Sequence, residues 1–447
     1  MENLASFQYQ PNNTVPELIE SLERFSQQHD TFDGWSLVPL FYYPNVNVRV
    51  LAVKTLGKLH STMYLKALSD IVGNDKSTIV KREAVSSIGR MRSEKAVDTL
   101  IAILQQPDPK VVCQAIRGLL VFKGNPKVDD ALKALASHEN EMVSSVINKE
   151  YFSVKSDRKQ TMPHTHSYPF LQNVVVNADV LKVLDLVPDD SIHLTFTSPP
   201  YYNARDYSIY PSYEAYLQFL QDVFEKIHRV TKEGRFLIVN TSPVIVPRIS
   251  RQHQSIRYPI PFDLHAILVK MGWDFIDDIV WLKPEYSVKN RIGGFEQHRK
   301  PLAYKPNSVT EYLMVYRKHT DKLLDWNMHQ YSLDTINESK VERKYETSNV
   351  WAINPKSDKV HSAVFPEELC KRVVEYYSYK GDLVFDPFGG SGTLGRTARA
   401  LGRYAFLTEM ETTYFKYMQS FESNKSMFEM KPAHFLTFEQ FQNSIQL

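Results

Sequence analysis

Apolar residues in the first third of the chain recur at helical spacing, in a pattern that repeats four times. The equivalent positions Ala52, Ala84, Ala115 and Val146 are 32, 31 and 31 residues apart. Second apolar stretches lie between these positions and are centred on Leu68, Leu100 and Leu132. Such regular spacing predicts two helices in each repeat.

A single helix pair cannot bury its apolar face alone, so the repeats are expected to stack into a continuous core. Acidic residues stand in the connections between pairs, at Asp75, Asp108 and Glu139. The pattern resembles HEAT-like repeats over about residues 36–152. We therefore expect an all-α, HEAT-like solenoid domain over residues 1–152. The polar, proline-bearing stretch 153–169 is typical of a linker.

From Leu171 onwards, short β-branched runs alternate with stretches of helical spacing. The apolar runs begin near Val174, Ile192, Phe236, Asp278, Tyr312, Leu383 and Ala405. Helical spacing predicts helices over 213–229, 369–377 and 394–401. Near-continuous apolar strands separated by helices are typical of a mostly parallel sheet covered on both faces. Residues 170–447 are therefore expected to form an α/β domain.

The composition excludes several classes of protein. The net charge of the 447 residues is only +2, so any contact with nucleic acid must be local. The two cysteines, Cys113 and Cys370, lie far apart, which argues against a disulfide framework and a cysteine zinc site and fits a reducing cytoplasm. The sequence shows neither a signal peptide nor a run of about 18 apolar residues, so neither secretion nor a membrane span is expected.

A glycine-rich turn, Asp386-Pro-Phe-Gly-Gly-Ser-Gly-Thr393, separates a predicted strand from a predicted helix. Such turns let the backbone approach a ligand closely and point helix N–H groups at it. A carboxylate follows at Glu409, where Rossmann-type sheets bind ribose hydroxyls. The turn contains neither G-x-G-x-x-G nor Gly-Lys-Ser/Thr, so no dinucleotide fingerprint or phosphate loop is indicated. Alone, this motif fits a turn without a ligand equally well.

A second motif, Thr197-Ser-Pro-Pro-Tyr-Tyr-Asn203, follows the strand that begins at Ile192. Consecutive prolines fix the backbone and remove two N–H donors, which leaves free carbonyls, a hydroxyl and an aromatic ring. A flat base with an amino group fits this loop, because Ser198 Oγ and a proline-region carbonyl can accept its hydrogens while Tyr201 stacks on it. Alone, a Pro-Pro turn is more often structural than catalytic.

Together the two motifs resemble those of amino-methyltransferases that act on nucleic acid. That family carries [D/N/S]-P-P-[Y/F/W] and F-x-G-x-G, which are here Ser198-Pro-Pro-Tyr201 and Phe388-Gly-Gly-Ser-Gly392. The resemblance covers about residues 170–425 and includes the shorter pieces 177–179, 281–284 and 361–366. The catalytic motif precedes the cofactor motif, as in the circularly permuted beta group. The resemblance implies a Rossmann-like sheet and S-adenosyl-L-methionine as the methyl donor.

The resemblance also implies a role for each matching residue. It assigns catalysis to Ser198, Pro199, Pro200 and Tyr201. The methionine part of the cofactor is assigned to a loop that contains Asp386, Phe388, Gly389, Gly390, Ser391, Gly392 and Thr393. Its ribose is assigned to Glu409, with Glu411 as an alternative. Asp179 is expected to face the adenine amino group, although Ala178 before it replaces the usual glycine, and His361 and Phe365 are expected to cover the cofactor.

Transfer to an amino nitrogen needs positioning and electrostatics and no covalent enzyme intermediate. Methylation at carbon 5 of cytosine would need a cysteine nucleophile, and neither Cys113 nor Cys370 lies in a suitable loop. The base must leave the duplex to reach Ser198 and Tyr201, so base flipping is expected. In this family, Ser at the first motif position usually accompanies N4-cytosine, and Asp or Asn accompanies N6-adenine. Ser198 therefore favours cytosine N4.

Positive charge is concentrated over residues 283–322, where nine lysines and arginines face four acids among interleaved aromatic residues. Such a segment can position phosphates. We expect contacts with double-stranded DNA from a target-recognition insert at about 283–350, chiefly through Lys289, Arg291, Arg299, Lys300 and Lys305. The alternative is a solvated loop and strand edge.

Three alternatives remain open for the function. The first is N6-adenine methylation of DNA, and the second is methylation of RNA. The third is a solenoid scaffold or binding protein with a non-catalytic methyltransferase fold, against which the two intact motifs argue. A cognate restriction endonuclease is a possible partner in restriction-modification, and a location on the nucleoid follows if the source is prokaryotic.

Overall fold

The computed structural model describes residues 5–8, 13–152, 163–202, 210–246, 250, 252–253, 255–288, 301–302, 304, 306–341, 346–356, 364–423 and 432–445. The chain divides into two compact units, residues 1–157 and 158–447. Within the described ranges, no helix is both long enough and apolar enough to cross a membrane.

The first unit is almost entirely helical. Its elements are β1 (Ala5–Ser6), α1 (Val15–Gln28), β2 (Phe32–Asp33), α2 (Val46–Leu56), α3 (Leu65–Asn74), α4 (Thr78–Arg90), α5 (Val97–Ile103), α6 (Pro109–Leu119), α7 (Pro126–Lys133) and α8 (Glu141–Ile147). Six of the seven repeat positions predicted from the sequence pattern are fully buried in one core, at Ala52, Leu68, Ala84, Leu100, Ala115 and Leu132, and Val146 is partly buried against it. The prediction of an all-α repeat unit is confirmed.

Acidic residues in the connections tie successive helix pairs together. Asp75 accepts hydrogen bonds from Arg49 Nε at 2.7 Å, from Arg49 Nη2 at 3.0 Å and from the backbone N–H of Ser77 at 2.7 Å. Asp108 caps α6 by accepting from the N–H of Lys110 at 2.8 Å and also accepts from Thr78 Oγ1 at 2.9 Å. Each acid therefore satisfies a donor at the start of a helix and a side chain of the preceding repeat.

Replacing Asp75 with alanine is expected to destabilise the first unit by about 2–3 kcal/mol, because Arg49 loses its partner and a backbone donor loses its acceptor. Only 4% of the Asp75 side chain is exposed. The matched control is Asp98→Ala, because Asp98 pairs with Lys127 and is 74% exposed, so its loss should cost about 0–1 kcal/mol. Hydrogen exchange across the helices from α2 to α7 measures both. Equal effects would contradict the argument.

The second unit is an α/β structure. Its strands are β3 (Val174–Asn177), β4 (Ile192–Thr197), β5 (Thr231–Thr241), β6 (Val244–Val246), β7 (Ile256–Tyr258), β8 (Trp273–Leu282), β9 (Thr310–Lys318), β10 (Val350–Ala352), β11 (Leu383–Asp386), β12 (Tyr404–Glu409) and β13 (His434–Thr437). Its helices are α9 (Val180–Leu186), α10 (Tyr213–Val230), α11 (Ile260–Lys270), α12 (Leu324–Met328), α13 (Leu333–Glu338), α14 (Glu367–Tyr377), α15 (Thr393–Ala400), α16 (Thr412–Ser423) and α17 (Phe438–Ile445).

Nine of these strands form one sheet in the order β10-β8-β9-β5-β4-β11-β12-β3-β13. β9 runs antiparallel to both of its neighbours, and the other pairs are parallel. Every residue of β4 and β11 is buried, which explains why their sequences are nearly continuous apolar runs. The predicted α/β sheet is confirmed.

Helices cover both faces of the sheet. α9, α10 and α11 pack on one face in a core that includes Phe224, Leu264 and Trp273. α14 and α15 pack on the other in a core that includes Val373 and Ala398. The helix after β4 therefore lies on one face and the helix after β11 on the other. The two strands are adjacent and parallel, so a crevice opens between them at their carboxyl ends, where open α/β sheets bind ligands.

Two predicted boundaries differ from the structure. The proposed recognition insert at 283–350 contains β9, which lies inside the sheet between β5 and β8, and Tyr316 in this strand is fully buried. Of the proposed linker, 153–162 lie outside the described residues, and 163–169 belong to the second unit. His164 is buried there, and its carbonyl accepts a hydrogen bond from His193 Nε2 at 3.0 Å. His164 is buried because it contacts residues distant in the sequence, such as His193, and local composition does not reveal such contacts.

Candidate active site

The two sequence motifs meet in the crevice between β4 and β11. Thr197, the last residue of β4, donates from Oγ1 to Asp386 Oδ1 at 2.8 Å. The same carboxylate oxygen accepts from the backbone N–H of Phe388 at 3.1 Å. These bonds fix the start of the glycine-rich loop against the strand that leads into Ser198. Residues 189 positions apart in the sequence therefore form one site.

The glycine-rich loop turns tightly back onto β12. The N–H of Gly389 donates to the carbonyl of Thr408 at 2.9 Å, and the N–H of Gly392 donates to the carbonyl of Gly389 at 2.8 Å. Gly392 has φ +73°, and a Cβ at this position would lie 2.7 Å from Met418 Sδ. A side chain at position 392 would therefore be both strained and obstructed, which explains the glycine. The loop leads directly into the first turn of α15, where Thr393 begins the helix.

Two buried carboxylates face this loop. Glu409 accepts from the N–H of Gly390 and from the N–H of Glu411, both at 2.7 Å. Burial raises the pKa of Glu409 to about 7 and that of Asp386 to about 6, and the Asp386 charge adds to the increase at Glu409. Neither carboxylate forms an ion pair with any residue that the structure describes. Ionised carboxylates buried without a cation suit a ligand rich in hydroxyl and ammonium donors, and S-adenosyl-L-methionine has both.

This arrangement predicts that cofactor binding depends on pH. A ribose hydroxyl donates best to ionised Glu409, whereas the unligated protein favours the protonated acid until the pH exceeds about 7. Affinity for S-adenosyl-L-methionine should therefore fall as the pH decreases below about 7, by up to about tenfold per pH unit. The stability of the unligated protein should change in the opposite direction. Because the pKa of Glu409 is raised in the folded state, its contribution to stability is fully present below its ordinary pKa and is lost as the pH rises through about 7. Calorimetric titration across this range measures the first effect.

Glu409→Gln keeps a hydrogen-bond acceptor and removes the titrating group, so it should weaken binding and flatten this pH dependence. The matched control is Glu411→Gln, because Glu411 is exposed and donates to Glu409 only from its backbone N–H, and its charge makes the smallest contribution to the raised pKa of Glu409. If the pH dependence disappeared in Glu411→Gln and persisted in Glu409→Gln, the alternative assignment of the ribose to Glu411 would be correct.

The catalytic motif presents a partly buried tyrosine to the same edge of the sheet. The Tyr201 hydroxyl donates to Glu311 Oε2 at 3.2 Å and hydrogen-bonds the side chains of Ser198 and Ser242. Burial and the Glu311 charge raise the pKa of Tyr201 well above its ordinary value, so the phenol keeps its proton. Glu311 is in turn ion-paired with Lys283. Pro199 is buried and Pro200 is half-buried, which fits their predicted role as a rigid turn.

Glu311 and Ser242 were not predicted as site residues. Glu311 begins the apolar run of β9, and Ser242 follows β5, so each lies at a strand end on the edge that carries the motifs. The only available signal was a charged residue at the start of a strand that is otherwise buried. That signal is weak without knowledge of strand order.

The other predicted cofactor residues that the structure describes lie at strand ends of the sheet or contact its strands. Asp179 caps α9 by accepting from the N–H of Leu181 at 2.8 Å, so one of its oxygens has a structural role. Phe365 stacks on Phe196 of β4 with ring centroids 4.6 Å apart. Ser391 and Thr393 join their hydroxyls at 3.1 Å within the loop. His361 lies outside the described residues.

The predicted DNA contacts Lys289, Arg291, Arg299, Lys300 and Lys305 also lie outside the described residues. The other four cations of that segment already have partners within the unit. Lys283 pairs with Glu311, Lys318 with Asp190 and Lys322 with Glu233, while Arg317 donates to the carbonyl of Gly234.

A cavity of about 530 Å³ lies beside the Lys283–Glu311 pair, large enough for a nucleotide-sized group. It opens where β8 and β10 end, on the edge of the sheet that carries the catalytic motif. Its lining is formed by Leu282, Lys283, Pro284, Glu285, Tyr304, Pro306, Asn307, Val309, Ala352, Ile353 and Asn354.

Comparison with solved structures and known sequences places these observations in context. A candidate DNA modification methylase of Thermus thermophilus, solved with S-adenosyl-L-methionine, is 24% identical with a TM-score of 0.46, over 59% of this chain and 98% of its own. The methyltransferase M.BslI of Bacillus sp. (strain NEB-606) is 25% identical over 54% of this chain and 26% of its own length. M.Cfr9I of Citrobacter freundii is 28% identical over 53% of this chain and 83% of its own length. The chain spans about a quarter of M.BslI and 30% of M.MwoI from Methanothermobacter wolfeii.

Two family models match the chain. A model for HEAT repeats matches residues 36–120, within the helical unit. A model for DNA methylases of the N6 and N4 type matches residues 192–420, which include both motifs, the glycine-rich loop and Glu409. Because this second match covers more than half of the 447 residues, the protein belongs to the N6/N4 DNA methylase family.

Proposed function

We propose that this protein transfers a methyl group from S-adenosyl-L-methionine to the exocyclic N4 amino group of cytosine in double-stranded DNA. The observation that carries the proposal is the bond between Thr197 and Asp386, which joins the Ser-Pro-Pro-Tyr motif to the cofactor loop at adjacent strand ends. A base held by the first motif and a methyl donor held by the second would therefore meet in one crevice. The order of the motifs supports the beta group, as does the similarity to M.BslI, which is named a type II beta methyltransferase.

S-adenosyl-L-methionine is the methyl donor of this family and supplies an activated, electrophilic methyl group. The proposed contacts are Asp386 and the loop through Thr393 for its methionine part and Glu409 for its ribose. Asp179, His361 and Phe365 would complete the site around the adenine. The carboxylates of Asp386 and Glu409 support this assignment, because both are buried and neither forms an ion pair with a described residue.

The protein contributes positioning and electrostatic stabilisation to the transfer. An exocyclic amino nitrogen is a poor nucleophile because its lone pair is delocalised into the ring. Ser198 Oγ and a carbonyl of the proline turn would accept its two hydrogens and favour a tetrahedral nitrogen whose lone pair is free to attack. The ring of Tyr201 would stack on the base after it has left the duplex. The described cavity beside Lys283 offers room on the same edge of the sheet.

Cytosine is favoured over adenine by Ser198 at the first motif position, where adenine-specific relatives usually carry Asp or Asn. N6-adenine methylation is the second candidate, because it uses the same fold and the same chemistry. Restriction-modification is the proposed setting, since several relatives are named type II methyltransferases. A cognate restriction endonuclease is the proposed partner, and the bacterial or archaeal cytoplasm, at the nucleoid, is the proposed location.

The experiment that tests the proposal uses isotope-labelled S-adenosyl-L-methionine and unmethylated genomic DNA. After incubation the DNA is digested to nucleosides, and the labelled nucleoside is identified by mass spectrometry. N4-methylcytosine is the expected product. N6-methyladenine would keep the reaction type and show that Ser198 does not select the base.

Label found only in RNA, or in no nucleic acid, would overturn the proposed substrate. In the second case, cofactor binding without transfer would favour a scaffold role for the chain. Parallel reactions with total RNA and with cell protein in place of DNA therefore need to be analysed.

A further inference from the structure

A short hydrogen-bonded chain connects Lys283 to the catalytic motif. Lys283 pairs with Glu311, whose Oε2 atom lies 3.2 Å from the Tyr201 hydroxyl, and that hydroxyl contacts the side chain of Ser198. Glu311 and Lys283 both lie largely within the unit, with 15% and 17% of their side chains exposed. These hydrogen-bonded side chains therefore keep a defined geometry, and water does not freely replace their partners.

The direction of each hydrogen bond in this chain follows from elementary chemistry. An ionised carboxylate only accepts, so Tyr201 must donate its single hydroxyl proton to Glu311. In the bond between Ser198 and Tyr201, the proton must then come from Ser198. With its own proton committed, Ser198 Oγ can offer only lone pairs to any further group.

We infer that Glu311 is a positioning residue that makes Ser198 an obligate hydrogen-bond acceptor for the amino group of the target base. This role rests on the proposed function, and it also orients the Tyr201 ring because the phenol is anchored at its far end. Lys283 pairs with Glu311 and holds its carboxylate in place. Glu311 itself need not touch the base.

The inference predicts an unusual order among variants at position 311. In Glu311→Gln, Lys283 is a pure donor and attracts the amide oxygen, which turns the amide NH₂ toward Tyr201. The amide NH₂ then donates to Tyr201, which reverses the direction of the hydrogen bonds. Tyr201 donates to Ser198 or Ser242, and the Ser198 proton can point at the base. Glu311→Ala removes the acceptor without imposing the reverse direction. The isosteric variant should therefore be at least as impaired as the truncated one.

We expect Glu311→Gln to lower kcat about 10- to 100-fold, because a misdirected hydrogen bond at the reacting amino group acts mainly in the transition state. The Kd for S-adenosyl-L-methionine should remain unchanged. Tyr201→Phe removes the hydroxyl that relays the effect, so adding Glu311→Gln to Tyr201→Phe should cause little further loss. The matched control is Glu233→Gln, because Glu233 forms a similar pair with Lys322 at 2.7 Å at the opposite end of β5.

The experiment measures kcat, KM and cofactor Kd for these variants on DNA that the unmodified protein methylates. A packing role for Glu311 predicts the opposite order, with alanine more harmful than glutamine, and either that order or additive losses in the double variant would overturn the inference. Failure of the unmodified protein to methylate DNA would instead overturn the proposed function, and the inference with it. Transfer by the unmodified protein together with full activity of Glu311→Gln would overturn the inference alone.

Discussion

Replacing Ser198 with alanine is expected to nearly abolish methyl transfer while the protein still binds S-adenosyl-L-methionine. Ser198 supplies one of two acceptors for the amino hydrogens, and its loss leaves the nitrogen lone pair delocalised. Removal of one preorganised polar group at a reacting centre typically costs about 10²- to 10³-fold in kcat. Most of the proposed cofactor contacts lie on β11, β12 and the loop between them, and Ser198 is not among the proposed contacts, so the Kd should be unaffected.

The measurement pairs single-turnover transfer to DNA with calorimetric binding of the cofactor. Ser420→Ala is a suitable control, because this exposed serine of α16 bonds only the carbonyl of Tyr417 among its described contacts.

Tyr201→Ala should also abolish transfer, and in addition it should weaken DNA binding through lost stacking, worth about 1–3 kcal/mol per base. Full activity of Ser198→Ala would show that the motif has been misassigned.

Much of the architecture could be predicted from local pattern. The apolar runs at Ile192 and Leu383 became β4 and β11, and the helical spacing at 213–229 became α10 within one residue. These elements are buried on one or both faces, so their sequences carry the period of the structure that they adopt. The repeat spacing likewise located the buried alanines of the first unit, because each repeat forms the same contacts.

Contacts across the sheet could not be predicted in the same way. Glu311 reaches Tyr201 only because β9 enters the sheet antiparallel beside β5, a pairing that no local pattern specifies. For the same reason, the positive charge that the sequence predicts for residues 283–322 includes cations near the end of β9, although Lys318 pairs with Asp190 and donates to the carbonyl of Thr231. Motifs locate the residues that touch ligands, whereas strand order determines the residues that support them.

A buried polar network at the opposite, amino-terminal edge of the sheet shows how strongly such contacts can be required. Asp382, just before β11, accepts from Tyr331 Oη at 2.6 Å, from the N–H of Tyr379 at 2.8 Å and from Arg235. Arg235 also donates to Tyr331 Oη at 3.1 Å and to the carbonyl of His193 at 3.2 Å. Burial by itself raises the pKa of Asp382, but the Arg235 charge, His193 and the Tyr331 hydrogen bond together hold it below its ordinary value.

Asp382→Ala is therefore expected to lower the free energy of unfolding of the second unit by about 3–5 kcal/mol, because it leaves the Arg235 charge buried without a partner. The control is Asp185→Ala, which removes the partner of Lys226 at a site where 61% of the Asp185 side chain is exposed and should cost about 0–1 kcal/mol. Four of the five tryptophans lie in the second unit, so denaturant unfolding followed by tryptophan fluorescence reports mainly on it.

Because the pKa of Asp382 is lowered in the folded state, its contribution to stability is present above the ordinary pKa and is lost as the pH falls through the lowered pKa. Asp382→Ala should thus abolish part of the acid dependence of stability as well. Equal destabilisation by the two variants would show that the network contributes no more than a surface ion pair.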